Sequence, residues 1–241
     1  MADEIKSKQL ARLVNDLVTA HAENLSSVTV YGSAAHDGAD ATAKHDVLIV
    51  LRRVDLDDLR RGVQPIRDWT GSGQPMPVYF SQDELQRAAD VFPVEFLQME
   101  QARRVLYGSD PFEFVEISQA NLRHQTEYEL RTKCLQLRRL YFSAAASPDQ
   151  LTRLMTDSLS SFAALFRAVL ILHGAPPPVT KREAVHQTVR IVGLNNSPFD
   201  EIFELIETKT RLAKSDAETL FANYLAEIEK VTDAVDQIDR Q

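Results

Sequence analysis

The sequence predicts an α+β fold: a mixed sheet with helices against it over residues 1–117, then an all-helical up-and-down bundle over residues 118–241. Three observations predict it. Strand-like and helix-like patterns alternate through the first half, which suits a sheet covered by helices. The segment "DVLIVLRR" is an almost continuous apolar run of the kind that forms a strand buried on both faces. After about Ser118 the apolar spacing becomes helical throughout, with short connections between helices.

Taken in order, residues 3–22 place Ile5, Leu10, Leu13, Val14, Leu17 and Val18 on one helical face. Val28–Tyr31 is a strand ending in a Gly32-Ser33 turn, and "DVLIVL" is the next strand. "DLDDLRRGVQPIRDW" has helical spacing weakened by Gly62 and Pro65 in its second half. "TGSGQPMP" is a loop, "PVYF" a short strand, and Ser81 with Glu84 forms a capping box that opens a helix to about Asp90. "FPVEFLQM" reads as a further strand and "EQARRVLYGSD" as a short helix or turn.

In the second half, Leu122, Leu130, Cys134, Leu137 and Tyr141 recur at heptad-like spacing. Ser147-Pro148 starts a helix with proline at its first position, carrying Leu151, Leu154, Met155, Leu159, Phe162, Phe166 and Val169 until Gly174. Thr180 with Glu183 caps the next, Ser197-Pro198 opens another, and Ser215 with Glu218 caps a last helix that buries Phe221, Leu225, Ile228, Val231, Val235 and Ile238.

Composition narrows the function. Hydrophobic residues make up 44% and charged residues 26% of the 241, the balance of a soluble globular chain. No apolar run approaches the roughly 20 residues of a bilayer span, so no membrane partner is expected. The start "MADEIKSKQLARLV" has no signal-peptide core, and a single cysteine, Cys134, excludes an internal disulfide; a cytoplasmic location is expected. The net charge of −8 falls mostly on the first half: residues 1–117 hold 12 Lys/Arg against 19 Asp/Glu, and residues 118–241 hold 15 against 16. DNA binding is not expected of so acidic a half, whereas a small nucleotide or a divalent cation remains compatible. The long apolar helix over 147–173 suggests more apolar surface than one modest domain covers, hence a homodimer.

The Gly32-Ser33 turn after a strand, followed by Asp46 opening a second strand, resembles the nucleotidyltransferase superfamily, in particular the minimal nucleotidyltransferases and the two-domain type that includes kanamycin nucleotidyltransferase. "FPVEFLQMEQARRVLYGSDPF" is similar to the last strand and following turn of such proteins, and "LRHQTEYELRTKCLQLRRLYF" to the first bundle helix of an uncharacterised bacterial branch. The resemblance implies that Gly32 and Ser33 hold the phosphates of ATP or another nucleotide. It also implies that carboxylates in D-x-D spacing, with a third from a neighbouring strand, bind two Mg2+ ions. The chemistry is sound: glycine lets backbone N–H groups approach phosphate, positions i and i+2 of a strand face one side, and two metals clamp attacking and leaving oxygens.

This chain departs from that pattern at one place. Asp46 matches the first carboxylate, Leu48 occupies the second position, and Glu95 in "PVEFL" is matched to the third. Leucine cannot ligate magnesium, which takes oxygen ligands, so Asp46 and Glu95 would hold at most one weak ion. Asp37 and Asp40 lie in the loop with no strand to aim them. Plainer readings stand beside each assignment: a strand-to-helix turn capped by Ser33, an Asp46 that caps its loop or pairs with Lys44 or Arg52, a surface Glu95, and solvated loop histidines at His36 and His45.

In "FRAVLILHG", Arg167 and His173 resemble the arginine–histidine spacing of HEPN ribonucleases; the alternative is an interhelical ion pair and a helix-end histidine. The expected function is a nucleotidyltransferase-fold protein with incomplete catalytic carboxylates that binds a nucleotide or other ligand, or serves in protein interaction. The competing readings are an active nucleotidyltransferase acting on a small molecule or protein, a helical-bundle ribonuclease or toxin–antitoxin component, and a purely structural dimer.

Overall fold

The structure is a computed structural model that describes residues 2–35, 44–178 and 180–238, with side chains in those ranges except at 2–7, 33 and 34. The chain divides into two compact units, Met1–Ser118 and Gln119–Gln241. In the first, four strands, β1 (Leu25–Tyr31), β2 (Asp46–Leu51), β3 (Val78–Ser81) and β4 (Arg103–Gly108), form one sheet in the order β3-β2-β1-β4. β1 is antiparallel to both β2 and β4, and β2 is parallel to β3, so the sheet is mixed.

Both faces are covered, which explains the unbroken apolar run of β2. One face buries Val28, Val30, Val47, Ile49 and Leu51 beneath α1 (Ala2–His21), through Leu10, Leu13 and Leu17, and beneath α2 (Leu56–Gly71), through Trp69. The other buries Leu48 and Val50 against α3 (Gln82–Ala88) and α4 (Pro93–Gln101), through Leu85, Phe96 and Met99, with Phe112 of the following turn. Ser81 and Glu84 form the expected capping box, and Asp55 with Asp58 forms a second one at the start of α2.

Two local expectations are overturned. "FPVEFLQM" is the helix α4, because Pro93 sits at its first position, where its fixed φ and missing N–H cost nothing. A short apolar run carries no period that separates helix from strand, and here the run buries Val94, Phe96, Leu97 and Met99, with Phe96 and Met99 packed on the sheet. "RRVLYG" is the strand β4, not a helix or turn. A bulge between Val28 and Thr29 shifts its register, so the period-two signal is interrupted in the sequence.

The second unit holds five helices among the described residues: α5 (Gln119–Ala144), α6 (Pro148–Leu172), α7 (Lys181–Val192), α8 (Ser197–Thr208) and α9 (Lys214–Asp236). It contains no strand among those residues. α6 is central and packs on each of the other four. An aromatic cluster of Phe162, Phe166, Phe199 and Tyr224 fills the middle, and the buried Tyr224 hydroxyl hydrogen-bonds Ser158 at 3.1 Å. Thr180 caps α7 as expected, but α9 begins at Lys214, one residue before Ser215, whose hydroxyl bonds Asp216 instead. Leu154, Leu225 and Ile238 are only half-buried, and Tyr141 stacks on Phe221 with centroids 4.8 Å apart.

α6 also has the length and mean hydropathy of a bilayer span, which the residue-by-residue reading of the sequence missed. Its apolar residues are occupied by neighbouring helices, from Leu151 to Leu170, and this removes the ground on which surplus apolar surface was expected there. Among the described residues of the bundle, the most exposed large apolar side chains are Tyr128, Leu135 and Phe142 on α5, with Leu140 beside them and Ile191 and Ile206 on α7 and α8.

Candidate functional site

At one end of the sheet, Asp46 of β2, Tyr31 of β1 and Arg103 of β4 are paired across the strands and therefore face the same side. The next row on that face is Leu48, Thr29 and Val105. Leu48 is thus on the side of Asp46, as its spacing requires. It does not border an opening: its relative exposure is 0%, within the cluster formed by Leu85, Phe96, Met99 and Phe112.

Asp46 behaves differently. It is half-buried, and no hydrogen bond or ion pair to its carboxylate is present among the described residues, so the loop-cap and Lys44 or Arg52 pairing readings are not realised there. Burial pushes its carboxyl above the ordinary carboxylate range, partly offset by adjacent His45. Burial and the Asp46 charge together push the Tyr31 phenol up to about 12.

The turn beside it is constrained. Gly32 has φ +76, a left-handed conformation that side-chain-bearing residues adopt at a cost, and a Cβ placed there would lie 3.5 Å from Asp46 Oδ2. Its N–H donates to the Ala102 carbonyl at 2.8 Å, so that donor is already used inside the protein. Gly32 opens a single 3-10 turn, Gly32–Ala35. The Ser33 side chain and the loop residues His36, Asp37 and Asp40 lie outside the described residues. His45 is buried, with its backbone N–H on the Gln74 side-chain oxygen at 3.0 Å, which anchors the end of the loop.

The third member of the row is fixed. Arg103 donates three hydrogen bonds to Asp110, from Nε to Oδ1 at 3.1 Å and Oδ2 at 3.0 Å and from Nη2 to Oδ2 at 2.7 Å, with another to the Glu100 carbonyl, and its guanidinium lies 5.4 Å from the Phe112 ring centroid. Burial alone would raise the Asp110 carboxyl, but bonds from Arg103 and the Phe112 N–H outweigh it and hold the pKa below the usual range. Sequence reading missed this pair: the signal was an Arg and an Asp flanking a strand, too common to single out. It also missed the buried hydroxyls of Ser27 and Thr29, 3.3 Å apart on the same face.

Glu95 is not brought to Asp46 by a strand. It stands exposed on the first turn of α4. Among the described residues no group of three His, Cys, Asp or Glu side chains is arranged to hold a metal ion. In the bundle, Arg167 donates to the Pro178 carbonyl at 3.1 Å, with burial lowering its pKa, while His173 ends α6 as an exposed C-cap. Cys134 is buried, its thiol pushed up by burial, and it contacts Thr232.

No family model matches the chain, and no curated protein matches it. Among solved structures, it is similar to the crystal structure of a spectinomycin adenyltransferase from Enterococcus faecialis with ATP and spectinomycin, at 12% identity and a TM-score of 0.57. The similarity covers 95% of this chain and 99% of that one. At such identity what is shared is the fold: a nucleotidyltransferase-like mixed sheet with helices, followed by a helical region.

Proposed function

We propose that this chain is a nucleotidyltransferase-fold protein that binds a nucleotide or another small ligand at the Asp46 end of the sheet without transferring it. The observation that carries this reading is Leu48. The position two residues from Asp46, where the fold would aim a second carboxylate, holds a leucine enclosed by Phe96, Met99 and Phe112. Two-metal phosphoryl transfer needs oxygen ligands for both ions, and one carboxylate cannot supply them. Asp46 is then the cation-facing group, Gly32 and Ser33 face the anionic end of the ligand, and any magnesium binds weakly. Glu95 is the second acid assigned to that ion, from α4.

The similar adenyltransferase was crystallised with ATP, which makes ATP the first ligand to test. Calorimetric titration of the full chain with ATP should give saturable binding that weakens in Asp46→Ala. Glu95→Gln tests the second acid by the same titration in magnesium. Transfer should be absent: incorporation of label from radiolabelled ATP into spectinomycin, another aminocyclitol or protein, lost in Asp46→Ala, would overturn the reading in favour of an active enzyme. Self-association belongs to the same reading. Tyr128, Leu135 and Phe142, one heptad apart on α5, are the apolar side chains a second copy would cover.

A further inference from the structure

On the face of the sheet opposite Leu48 and Asp46, an open groove of about 420 Å3 runs between α2 and the edge strand β3. Its walls are apolar: Leu59, Val63 and Ile66 from one side of α2, and Met76 and Pro77 from the chain entering β3. Leu59, Val63 and Met76 are 44%, 50% and 69% exposed, unusually bare for side chains of their type. Amphipathic spacing explains them, since Leu59, Val63 and Ile66 lie on one side of the helix, which overhangs the sheet edge where no further strand fills the space.

Two polar features interrupt this lining. At the floor, Gly62 lets α2 approach Tyr79 closely: a Cβ there would stand 2.9 Å from the Tyr79 hydroxyl and 3.5 Å from His21 Nε2. The hydroxyl and His21 Nε2 are 3.5 Å apart, the far limit of a hydrogen bond, and His21 is 3% exposed with no partner for its Nδ1 among the described residues. At the rim stands Arg67, on the same helical face as Val63 one turn earlier. The other arginines of α2 are engaged, Arg60 with Asp57 and Arg61 with Asp58, whereas no acidic group pairs with Arg67 among the described residues.

We propose that this groove binds a small apolar carboxylate, with its hydrocarbon part against Leu59, Val63, Ile66 and Met76 and its carboxylate on Arg67. The size fits: about 420 Å3 falls within the roughly 300 to 1,000 Å3 of small-molecule sites. The charge fits as well. A guanidinium that has no counter-ion among the described residues, beside apolar surface, favours an anion whose hydrocarbon covers that surface, and its planar fork matches a carboxylate. This site is separate from the nucleotide reading, since it uses the other sheet face and none of the same residues.

The test uses the full chain titrated with sodium octanoate and, separately, with 1-octanol, both below micelle formation. Octanoate should bind saturably and about fivefold or more tighter than the alcohol, the range of a partly exposed charge-assisted pair. Arg67→Gln should bring the two probes to within about twofold of each other by removing that pair. Val63→Asp should weaken both. Arg67 and Val63 are exposed, so neither variant threatens folding, and a circular dichroism melt checks that. Equal binding of both probes to the wild type, a preference that survives Arg67→Gln, or no saturable binding up to low millimolar octanoate would each overturn the proposal. ATP titration of the same Arg67→Gln protein should be unchanged, which separates this result from the nucleotide site.

Discussion

Leu48→Asp decides between a silenced metal site and ordinary core. The leucine is fully buried among Leu85, Phe96, Met99 and Phe112, with Thr29 its partner across β1. Removing a buried leucine side chain costs about 2–5 kcal/mol through lost transfer and a residual cavity. A carboxyl placed there must stay protonated or find donors, and an unsatisfied polar group adds about 1–3 kcal/mol; the Thr29 hydroxyl is the nearest candidate donor. The sum, about 3–8 kcal/mol, reaches the scale of the whole stability of a domain, roughly 5–15 kcal/mol. The new carboxyl would have a folded-state pKa raised above its unfolded value of about 3.9, so the native state binds more protons and stability falls as pH rises, by up to about 1.4 kcal/mol per unit. The assay is a set of thermal melts of wild type, Leu48→Ala and Leu48→Asp, at acidic and neutral pH, each with EDTA and with millimolar magnesium. Leu48→Asp should melt far below Leu48→Ala at neutral pH, recover part of the gap in acid, and ignore magnesium. A variant that regained stability in magnesium, by about 2.7 kcal/mol at a hundred times the dissociation constant, would refute the argument, because the two carboxylates would then share a metal.

Other outcomes follow from the same row of residues. Asp46 has a folded pKa raised by burial, so its ionised form costs stability above that pKa and the cost vanishes as pH falls; Asp46→Asn should melt higher than wild type near neutrality and equally in acid. Gly32→Ala meets no steric obstacle but must hold φ +76, so urea unfolding should show a loss of about 1–2 kcal/mol. Asp110 has a folded pKa held down by Arg103, so its contribution is present above the unfolded pKa and lost as pH falls through the folded one. Arg103→Lys, which cannot keep the fork, should lose about 1 kcal/mol at neutral pH and little in acid, by chemical denaturation.

What the sequence disclosed of the fold depended on whether a pattern was local. The β2 run, the Ser81–Glu84 box, the Thr180 cap and the proline-started helix at Pro148 are each written within a few residues, and each formed where the residues put it. Segments 92–101 and 103–108 exchanged roles because their identity is settled by partners. Pro93 starts a helix that needs the β2 and β3 face to bury Phe96, while Arg103–Gly108 becomes a strand by taking the open edge of β1 across a bulge. Neither partner is visible inside a short window, and tertiary context overrides a weak local preference.

The site was legible to the same degree. Asp46 and Gly32 were singled out from a turn followed by an acid, and the structure gives each a distinctive state: a half-buried carboxylate with no donor among the described residues, and a left-handed glycine against it. The leucine was legible as a departure, though its meaning was not. In the sequence, Leu48 is equally a residue lining an emptied cleft and a residue under α4, because an alternation of two fixes the face and says nothing of what covers it. Only the placement of Phe96 and Met99 above it, on a segment read as a strand, separates the two. Had 93–101 been a strand beside β2, Glu95 would have been aimed along the sheet and Leu48 left open to it. As a helix it turns Phe96 inward onto Leu48, which closes the floor, and leaves Glu95 exposed on its first turn.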